Sequence, residues 1–246
     1  MTNTPISKSP IVINFKTTGS RAFFEAYFEG LASFYTAEAC AHGLILCPPF
    51  PYLSLFEKAR HELGFTLGAQ DCDAVPGGPL TGAVTVAMLQ DMGVSHVLVG
   101  HSERRVQCGE TPALLQQKLT TLVEAGLRPI LCVGEDKQTR ESGATLAHLK
   151  ADLLACLPPS FAGELDVAYE PVWAIGASQP PEQGVIDEAC QHVSVVLQER
   201  HVKSRVFYGG SVTADNAATL LQSSAQGLLV GRAGMELSSL RRILGL

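Results

Sequence analysis

Five residues that could move or stabilise a proton lie at the ends of short apolar runs. Asn14 and Lys16 end the first run, His101 and Glu103 follow another in VGHSERR, and Glu170 ends a third in AYEPVWAIG. A carboxylate can take a proton, an imidazole can polarise a carbonyl group, and an ammonium group can stabilise a developing oxyanion. The combination indicates acid–base chemistry, provided that the fold brings these side chains together.

Glycine-rich segments follow the last two apolar runs. Gly209, Gly210 and Ser211 follow one of them, and Gly231 follows the other. Backbone N–H groups can approach an anion closely at glycine because no Cβ lies in the way. These segments therefore predict an anion-binding cradle beside the acid–base residues.

Each of these residues also has an ordinary interpretation when it is taken alone. Lys16 could be a solvated surface lysine, His101 a capping histidine, and Glu170 a carboxylate that only ends a strand. Gly209 to Ser211 could form a turn and a helix N-cap. These interpretations do not explain why all the residues follow apolar runs, so we favour a functional site.

Eight short apolar runs, rich in β-branched residues, predict the strands that must position these side chains. The runs cover residues 11–15, 44–47, 65–69, 96–99, 129–133, 166–169, 205–208 and 227–230. Most are continuous rather than alternating, which suits strands covered by helices. Helical spacing lies between them, at residues 21–41, at 111–124 with Thr111 as N-cap, and at about 181–200.

Strands and helices in alternation can form a closed (β/α)₈ barrel or an open doubly wound sheet. Composition does not choose between the two. No G-x-G-x-x-G or G-x-x-x-x-G-K-[ST] segment is present, which disfavours a nucleotide-binding open sheet. In a barrel, the polar residues would converge on the face where the strands end. We expect residues 1–246 to form one domain, with residues 1–9 as a disordered or extended tail.

Composition narrows the class of protein further. The chain has 246 residues, 46% hydrophobic, and a formal net charge of −6. An acidic chain is a poor partner for nucleic acid or an anionic membrane, and no run is long enough to cross a bilayer. The N-terminal residues have no apolar secretory core, and the seven cysteines include no C-x-x-C pair. We therefore expect a cytoplasmic protein.

Longer motifs in the same places resemble a known family. They are NFK at 14–16, VGHSERR at 99–105, CVGE at 132–135, AYEPVWAIG at 168–176, YGGSV at 208–212 and LLVG at 228–231. Together they resemble triosephosphate isomerase, in order and over nearly the whole chain. The resemblance implies a single-domain α/β protein, a (β/α)₈ TIM barrel. It also implies an enzyme of glycolysis and gluconeogenesis that interconverts dihydroxyacetone phosphate and D-glyceraldehyde 3-phosphate through an enediolate.

The resemblance also implies a role for each acid–base residue. Glu170 is the base, His101 polarises the carbonyl group as a neutral imidazole, and Lys16 supplies a fixed positive charge. Asn14 is a further donor, and Glu103 orients Lys16 or His101. An alternative for Glu103 is a surface ion pair with one of the two arginines that follow it.

The substrate phosphate is expected to bind backbone N–H groups of Gly176, Ser211, Gly231 and Arg232. Residues 171–177 are expected to form a lid that excludes water. The reaction needs no metal or organic cofactor, because the carbonyl group of the substrate accepts the electrons. The partners implied are a small phosphorylated sugar and a second copy of the chain, with loop 71–80 inserted into the neighbouring subunit.

Four departures from the family pattern are visible. Phe15 and Thr18 replace a tryptophan and an asparagine, and the lid segment WAIGASQPPEQ is two residues shorter and lacks a lysine. Arg232 replaces a glycine, and Ala83 replaces a glutamate that supports the dimer. The Arg232 side chain could turn to solvent, or its guanidinium could contact the phosphate.

Three other functions stay open on the sequence alone. One is an isomerase of another small ketose phosphate, such as a tetrulose phosphate, because the lid and Arg232 shape the far wall of the pocket. A second is a non-catalytic barrel that binds sugar phosphates, although binding alone needs no base. The third, a nucleotide-binding open sheet, lacks its glycine fingerprint.

Overall fold

A computed structural model describes residues 9–36, 42–161, 163–176 and 180–246. Eight parallel strands pair in sequence order, and the last pairs with the first to close a barrel. The strands are β1 (Ile11–Asn14), β2 (Leu44–Cys47), β3 (Thr66–Ala69), β4 (His96–Val99), β5 (Arg128–Val133), β6 (Glu164–Tyr169), β7 (Lys203–Tyr208) and β8 (Leu228–Val230). All eight predicted strands are confirmed, and the closed barrel replaces the open-sheet alternative.

Helices follow the strands around the barrel. They are α1 (Arg21–Ala32), α2 (Leu53–Leu63), α3 (Val86–Asp91), α4 (Ser102–Gln107), α5 (Pro112–Glu124), α6 (Lys137–Glu141), α7 (Thr145–Cys156), α8 (Gln183–Glu199), α9 (Ala217–Leu220) and α10 (Leu237–Ile243). Short 3₁₀ turns occupy Phe50–Tyr52, Val172–Ala174 and Arg232–Met235. In the described part of the chain, no helix is long and apolar enough to cross a membrane.

The helix predictions were right in place but not always in length. Thr111 caps α5 as expected, because its hydroxyl accepts the Leu114 N–H at 3.3 Å. The first helix was predicted to continue to residue 41, which is wrong, because α1 ends at Ala32. The backbone N–H and hydroxyl of Ser33 both donate to the Gly30 carbonyl and end the helix in a turn. Residues 37–41, and residues 1–8 of the tail predicted over 1–9, lie outside the described residues.

Alternation along the strands determines which side chains fill the barrel. The inner layer is an apolar cluster of Val12, Ile45, Cys47, Leu98, Ile130, Cys132, Ala168, Phe207 and Leu229. Successive residues of a strand point to opposite faces, so Asp166, Ala168 and Glu170 lie on one side of β6 and its extension. This row of three residues therefore begins and ends with a carboxylate.

Charged side chains close the barrel at the end where the strands begin. Asp166 is fully buried and lies 2.8 Å from the Arg128 guanidinium and 2.5 Å from that of Arg205. His96 lies nearby, and burial, together with the two arginines, lowers the pKa of His96 to about 4 despite the opposing charge of Asp166. We call Asp166, Arg128, Arg205 and His96 the amino-end cluster.

Candidate active site

A cavity of about 1010 Å³ opens at the end of the barrel where the strands finish. Eight of the nine predicted site residues line it: Asn14, Lys16, His101, Glu170, Gly176, Ser211, Gly231 and Arg232. The ninth, Glu103, lies behind this lining. The barrel thus brings together residues that are more than 200 positions apart in the sequence.

The side chain of Lys16 is held by Glu103. The Lys16 Nζ lies 2.5 Å from Glu103 Oε1. The Lys16 backbone has a φ of 50°, an uncommon conformation for a residue with a side chain. Two amides stabilise it: Asn14 Oδ1 accepts the Lys16 N–H at 2.9 Å, and Gln70 Nε2 donates to the Lys16 carbonyl at 2.9 Å. Lys16 is therefore fixed at the cavity wall, unlike a solvated surface lysine.

His101 and Glu170 contact each other in the cavity lining. His101 Nε2 lies 3.4 Å from Glu170 Oε1, and both side chains are more than nine-tenths buried. His101 is also the N-cap of α4, since its Nδ1 accepts the Glu103 N–H at 3.3 Å. The capping interpretation of His101 is thus correct as well, and it leaves Nε2 directed at the cavity.

Two effects act in opposite directions on the protonation of His101. Burial would lower the pKa of His101, but the contact with Glu170 and the charge of Glu103 outweigh burial and raise the pKa. The hydrogen bond at Nδ1 favours the neutral ring, because a nitrogen that accepts the Glu103 N–H carries no proton. The raised pKa thus depends on the contact with Glu170, and the tautomer depends on α4.

Glu170 lies in a close-fitting backbone environment. A Cβ at Gly134 would lie 1.8 Å from the Glu170 carbonyl oxygen, and a Cβ at Gly209 would lie 3.0 Å from Glu170 Cγ. Only glycine at position 134 allows the segment after β5 to approach Glu170 this closely, and glycine at position 209 avoids a tight contact from the segment after β7. Glu170 Oε2 is buried and has no hydrogen-bond partner among the described residues. Buried polar atoms that serve only the fold are normally hydrogen-bonded, so this unpaired oxygen indicates a functional role for Glu170.

The predicted phosphate-binding residues line the same cavity. Ser211 has a φ of 45°, and its hydroxyl donates to the Ala174 carbonyl at 2.6 Å, joining the β7 end to the lid segment. Gly231 adjoins Lys16, because its Cβ would lie 4.0 Å from Lys16 Cε. Arg232 is exposed, and its guanidinium has no hydrogen-bond or ion-pair partner within the described ranges. Of the predicted lid, residue 177 lies outside the described residues.

Two polar residues support the site without having been assigned a role from the sequence. Glu135 is fully buried, and its Oε1 accepts the Trp173 Nε1–H at 2.9 Å and the Tyr169 hydroxyl at 3.2 Å, which fixes the start of the lid segment. Gln70 joins β2 to Lys16, since it also donates to the Cys47 carbonyl at 2.9 Å. A polar residue that follows a predicted strand was the available signal for both.

The ion pair expected as an alternative for Glu103 is absent from the described contacts, because Arg104 pairs with Asp71 and Glu110, and Arg105 pairs with Asp152. Glu103 instead contacts Lys16, and its Oε2 lies 3.5 Å from His101 Nδ1. The described residues include no group of three His, Cys, Asp or Glu side chains arranged to hold a metal ion.

Comparison with known proteins identifies the family. The triosephosphate isomerase family model matches residues 9–246. A triosephosphate isomerase of a Bradyrhizobium species is 41% identical over 233 residues, which are 91% of each chain. Those of Aquifex aeolicus and Alcanivorax borkumensis are 38% and 37% identical, over 81% and 95% of this chain and 84% and 96% of theirs. The chain belongs to the triosephosphate isomerase family.

Membership of the triosephosphate isomerase family decides among the functions left open by the sequence. The matched relatives share the name of an aldose–ketose isomerase of three-carbon phosphates, which does not favour the four-carbon isomerase or the non-catalytic barrel. The departures at Phe15, Thr18, Ala83, Arg232 and the lid occur within a chain that matches the family model from Ser9 to Leu246. They are therefore variations within the family.

Proposed function

We propose that this chain interconverts dihydroxyacetone phosphate and D-glyceraldehyde 3-phosphate. The observation that carries the proposal is the pairing of Glu170 Oε1 with His101 Nε2 at 3.4 Å, in a cavity that Lys16 and the phosphate cradle also line. A base and an electrophile that meet at one cavity suit proton transfer next to a carbonyl group. No cofactor is required by this chemistry.

In the proposed reaction, the substrate lies between Glu170 and His101. Glu170 takes a proton from the carbon next to the carbonyl group, and the electron pair moves onto the carbonyl oxygen to give an enediolate. Glu170 then returns the proton to the neighbouring carbon, which completes the isomerisation. The unpartnered Oε2 of Glu170 supports this role, because buried polar atoms that serve only the fold are normally hydrogen-bonded.

Three donors stabilise the oxyanion in this proposal. His101 donates its Nε2–H and shuttles a proton between the two substrate oxygens, while Lys16 contributes a positive charge. A substrate that separates His101 from Glu170 weakens the contact that raises the pKa of His101. The imidazole therefore acts in its neutral form, which the hydrogen bond from the Glu103 N–H to Nδ1 favours. Asn14 keeps its amide NH₂ for the substrate, since its carbonyl oxygen serves Lys16.

The phosphate group anchors the substrate at the other end of the cavity. We assign it to the backbone N–H groups of Gly176, Ser211, Gly231 and Arg232, which line the cavity. Residues 171–177 close over the phosphate, exclude water, and protect the enediolate from losing phosphate. The shorter lid, which lacks a lysine, leaves Arg232 as a side-chain cation in this region.

We also propose that residues 1–246 form one domain and that two copies of the chain form a homodimer. We place this dimer in the cytoplasm, where it serves glycolysis and gluconeogenesis. Loop 71–80 supports the dimer. Hydrogen bonds between Asp73 and Val84 hold this part of the chain together, and Leu80 at the end of the loop is 55% exposed. The described cysteines carry free thiols, which suits a reducing compartment. Light scattering at micromolar concentration tests the dimer, and a monomer would contradict it.

The experiment that tests the reaction is a coupled assay that follows conversion of D-glyceraldehyde 3-phosphate to dihydroxyacetone phosphate. We expect turnover by the purified chain without added metal. A parallel assay with a tetrulose phosphate gives the relative kcat/KM for three- and four-carbon substrates. Higher kcat/KM on the four-carbon phosphate, or no turnover on either, would contradict the proposal.

A further inference from the structure

Helix α4 begins after His101 and carries Glu103, but it has no apolar anchor. None of its six residues is buried, and Val106, its apolar side chain, is 82% exposed. Yet His101 caps this helix, and Glu103 in its first turn contacts Lys16. Since hydrophobic burial normally fixes a helix on its barrel, polar contacts must hold α4 in place.

A ring of four charges holds one side of α4. Arg104 lies 2.6 Å from Asp71 Oδ2 and 2.7 Å from Glu110 Oε1. Lys118 Nζ lies 2.6 Å from Asp71 Oδ1 and 2.6 Å from Glu110 Oε1. Two acids thus alternate with two cations, and the side chains of Lys118 and Glu110 are each only 2% exposed. The ring joins α4 to α5 and to the segment after β3.

A second clamp holds the other side of α4. Arg105 donates to the Gly100 carbonyl at 2.7 Å, to the Cys132 carbonyl at 2.8 Å and to Asp152 at 2.9 Å. These partners belong to the ends of β4 and β5 and to α7. Consecutive arginines therefore fix α4 from both sides, while Glu103, directly before them, faces the cavity residues.

We propose that Arg104 and Arg105 are positioning residues for the isomerisation, and that Asp71 is the anchor through which Arg104 acts. The inference rests on the proposed function, because it assigns these residues to the placement of Glu103 and His101. Asp71 is the decisive member, because it lies after β3 and ties Arg104 to another part of the barrel, whereas Glu110 follows α4 directly in the chain. A misplaced α4 moves both the Nδ1 hydrogen bond of His101 and the acid that holds Lys16.

The test compares two buried aspartates that each contact two cations. Asp71→Asn weakens the ring, and Asp166→Asn weakens the amino-end cluster, so both should lower the unfolding midpoint. For Asp71→Asn we expect kcat to fall roughly 10- to 100-fold, because a displacement of catalytic groups by up to about 1 Å has an effect of this size. KM should change little, because the phosphate cradle lies on other elements. Asp166→Asn should keep kcat close to wild type. Equal kcat in the two folded variants would overturn the proposal.

Charge-balanced double variants separate positioning from stability. Asp71→Asn with Lys118→Met removes the anchor together with one cation, so the ring stays neutral. Glu110→Gln with Lys118→Met keeps the ring neutral and retains the pair of Asp71 with Arg104. We expect kcat to stay low in the first variant and to return near wild type in the second. The same kcat in both would contradict the role of Asp71.

A readout without turnover distinguishes this inference from the proposed function. The ¹⁵N signals of the His101 ring report the hydrogen bond at Nδ1, and we expect them to shift in Asp71→Asn with Lys118→Met but not in Asp166→Asn. A wild-type chain without isomerase activity would contradict the proposed function alone. Unchanged His101 signals in the double variant would overturn the positioning role, whatever the activity.

Discussion

Two carboxylates on the same face of one strand have opposite surroundings. Asp166 lies near the start of β6, and Glu170 lies four residues later, about 13 Å along an extended chain. Asp166 is fully buried, and both of its oxygens meet arginines. Glu170 is almost as buried, yet one oxygen has no partner among the described residues and the other faces His101 at 3.4 Å.

The difference shows how one architecture separates structure from chemistry. A buried charge is costly unless it is paired, so the paired Asp166 contributes to the fold, and the incompletely paired Glu170 is retained for its reactivity. Backbone conformation follows the same division. Of the three described non-glycine residues with positive φ, Lys16 and Ser211 belong to the site, and His201 lies after α8.

The largest effect is expected from Glu170→Gln. The amide keeps the shape of the side chain but cannot take a proton, so kcat should fall roughly 10²- to 10⁴-fold. The free energy of unfolding should not decrease, because a buried charge with an unpaired oxygen is removed. Coupled assays and urea unfolding measure the two effects. Retained phosphate binding is the control for the cradle, and a kcat near wild type would show that Glu170 is not the base.

Asp166→Asn should produce the reverse pattern. Removing one charge from the amino-end cluster leaves Arg128 and Arg205 without their full counter-charge, which should cost about 3–5 kcal/mol of unfolding free energy. The folded fraction should keep its kcat, since the change lies at the far end of the barrel. Urea denaturation followed by assay at low temperature checks both. A large loss of kcat without loss of stability would break the comparison.

The same cluster predicts how stability depends on pH. Burial lowers the pKa of His96 to about 4, whereas the unfolded chain takes up the proton near pH 6.5. The resulting contribution to the free energy of unfolding is fully present above pH 6.5. It is lost, by about 3 kcal/mol, as the pH falls toward 4. In urea unfolding at pH 7 and pH 4.5, His96→Gln should therefore lose less stability than wild type. An equal loss in both would show that His96 does not titrate as inferred.

The smallest effect is expected at the rim of the cavity. If the Arg232 guanidinium contacts the phosphate, Arg232→Gly should raise KM roughly fivefold, as for an exposed ion pair worth up to about 1 kcal/mol. The value of kcat should change little, because the phosphate is bound equally in the ground and transition states. Steady-state kinetics with D-glyceraldehyde 3-phosphate measures this. An unchanged or lower KM would show that the side chain only turns to solvent.

Much of this arrangement could be predicted from the sequence. Continuous apolar runs are a direct consequence of strands buried on both faces, and they gave all eight strands. The positions of His101 and Glu170 directly after such runs placed them at one face once the barrel closed. The length of α1 was overpredicted, because helical spacing alone did not reveal the turn that Ser33 makes.

The charge networks could not be predicted in the same way. Arg104 meets Asp71 only because β3 and β4 are neighbours, and Arg205 meets Asp166 only through the register of β6 and β7. Periodicity describes one element at a time and does not identify partners across the barrel. The positive φ of Lys16 was also hidden, since its residue type does not suggest that conformation.

The central claim, that Glu170 removes a carbon-bound proton, is tested most directly by running the reaction in D₂O. Wild-type protein converts dihydroxyacetone phosphate, and ¹H NMR measures deuterium at C2 of the product. A carboxylate that holds the abstracted proton exchanges it with solvent, so we predict deuterium in the wild-type product and no such exchange with Glu170→Gln. Complete retention of protium at C2, or equal exchange in the variant, would contradict the account.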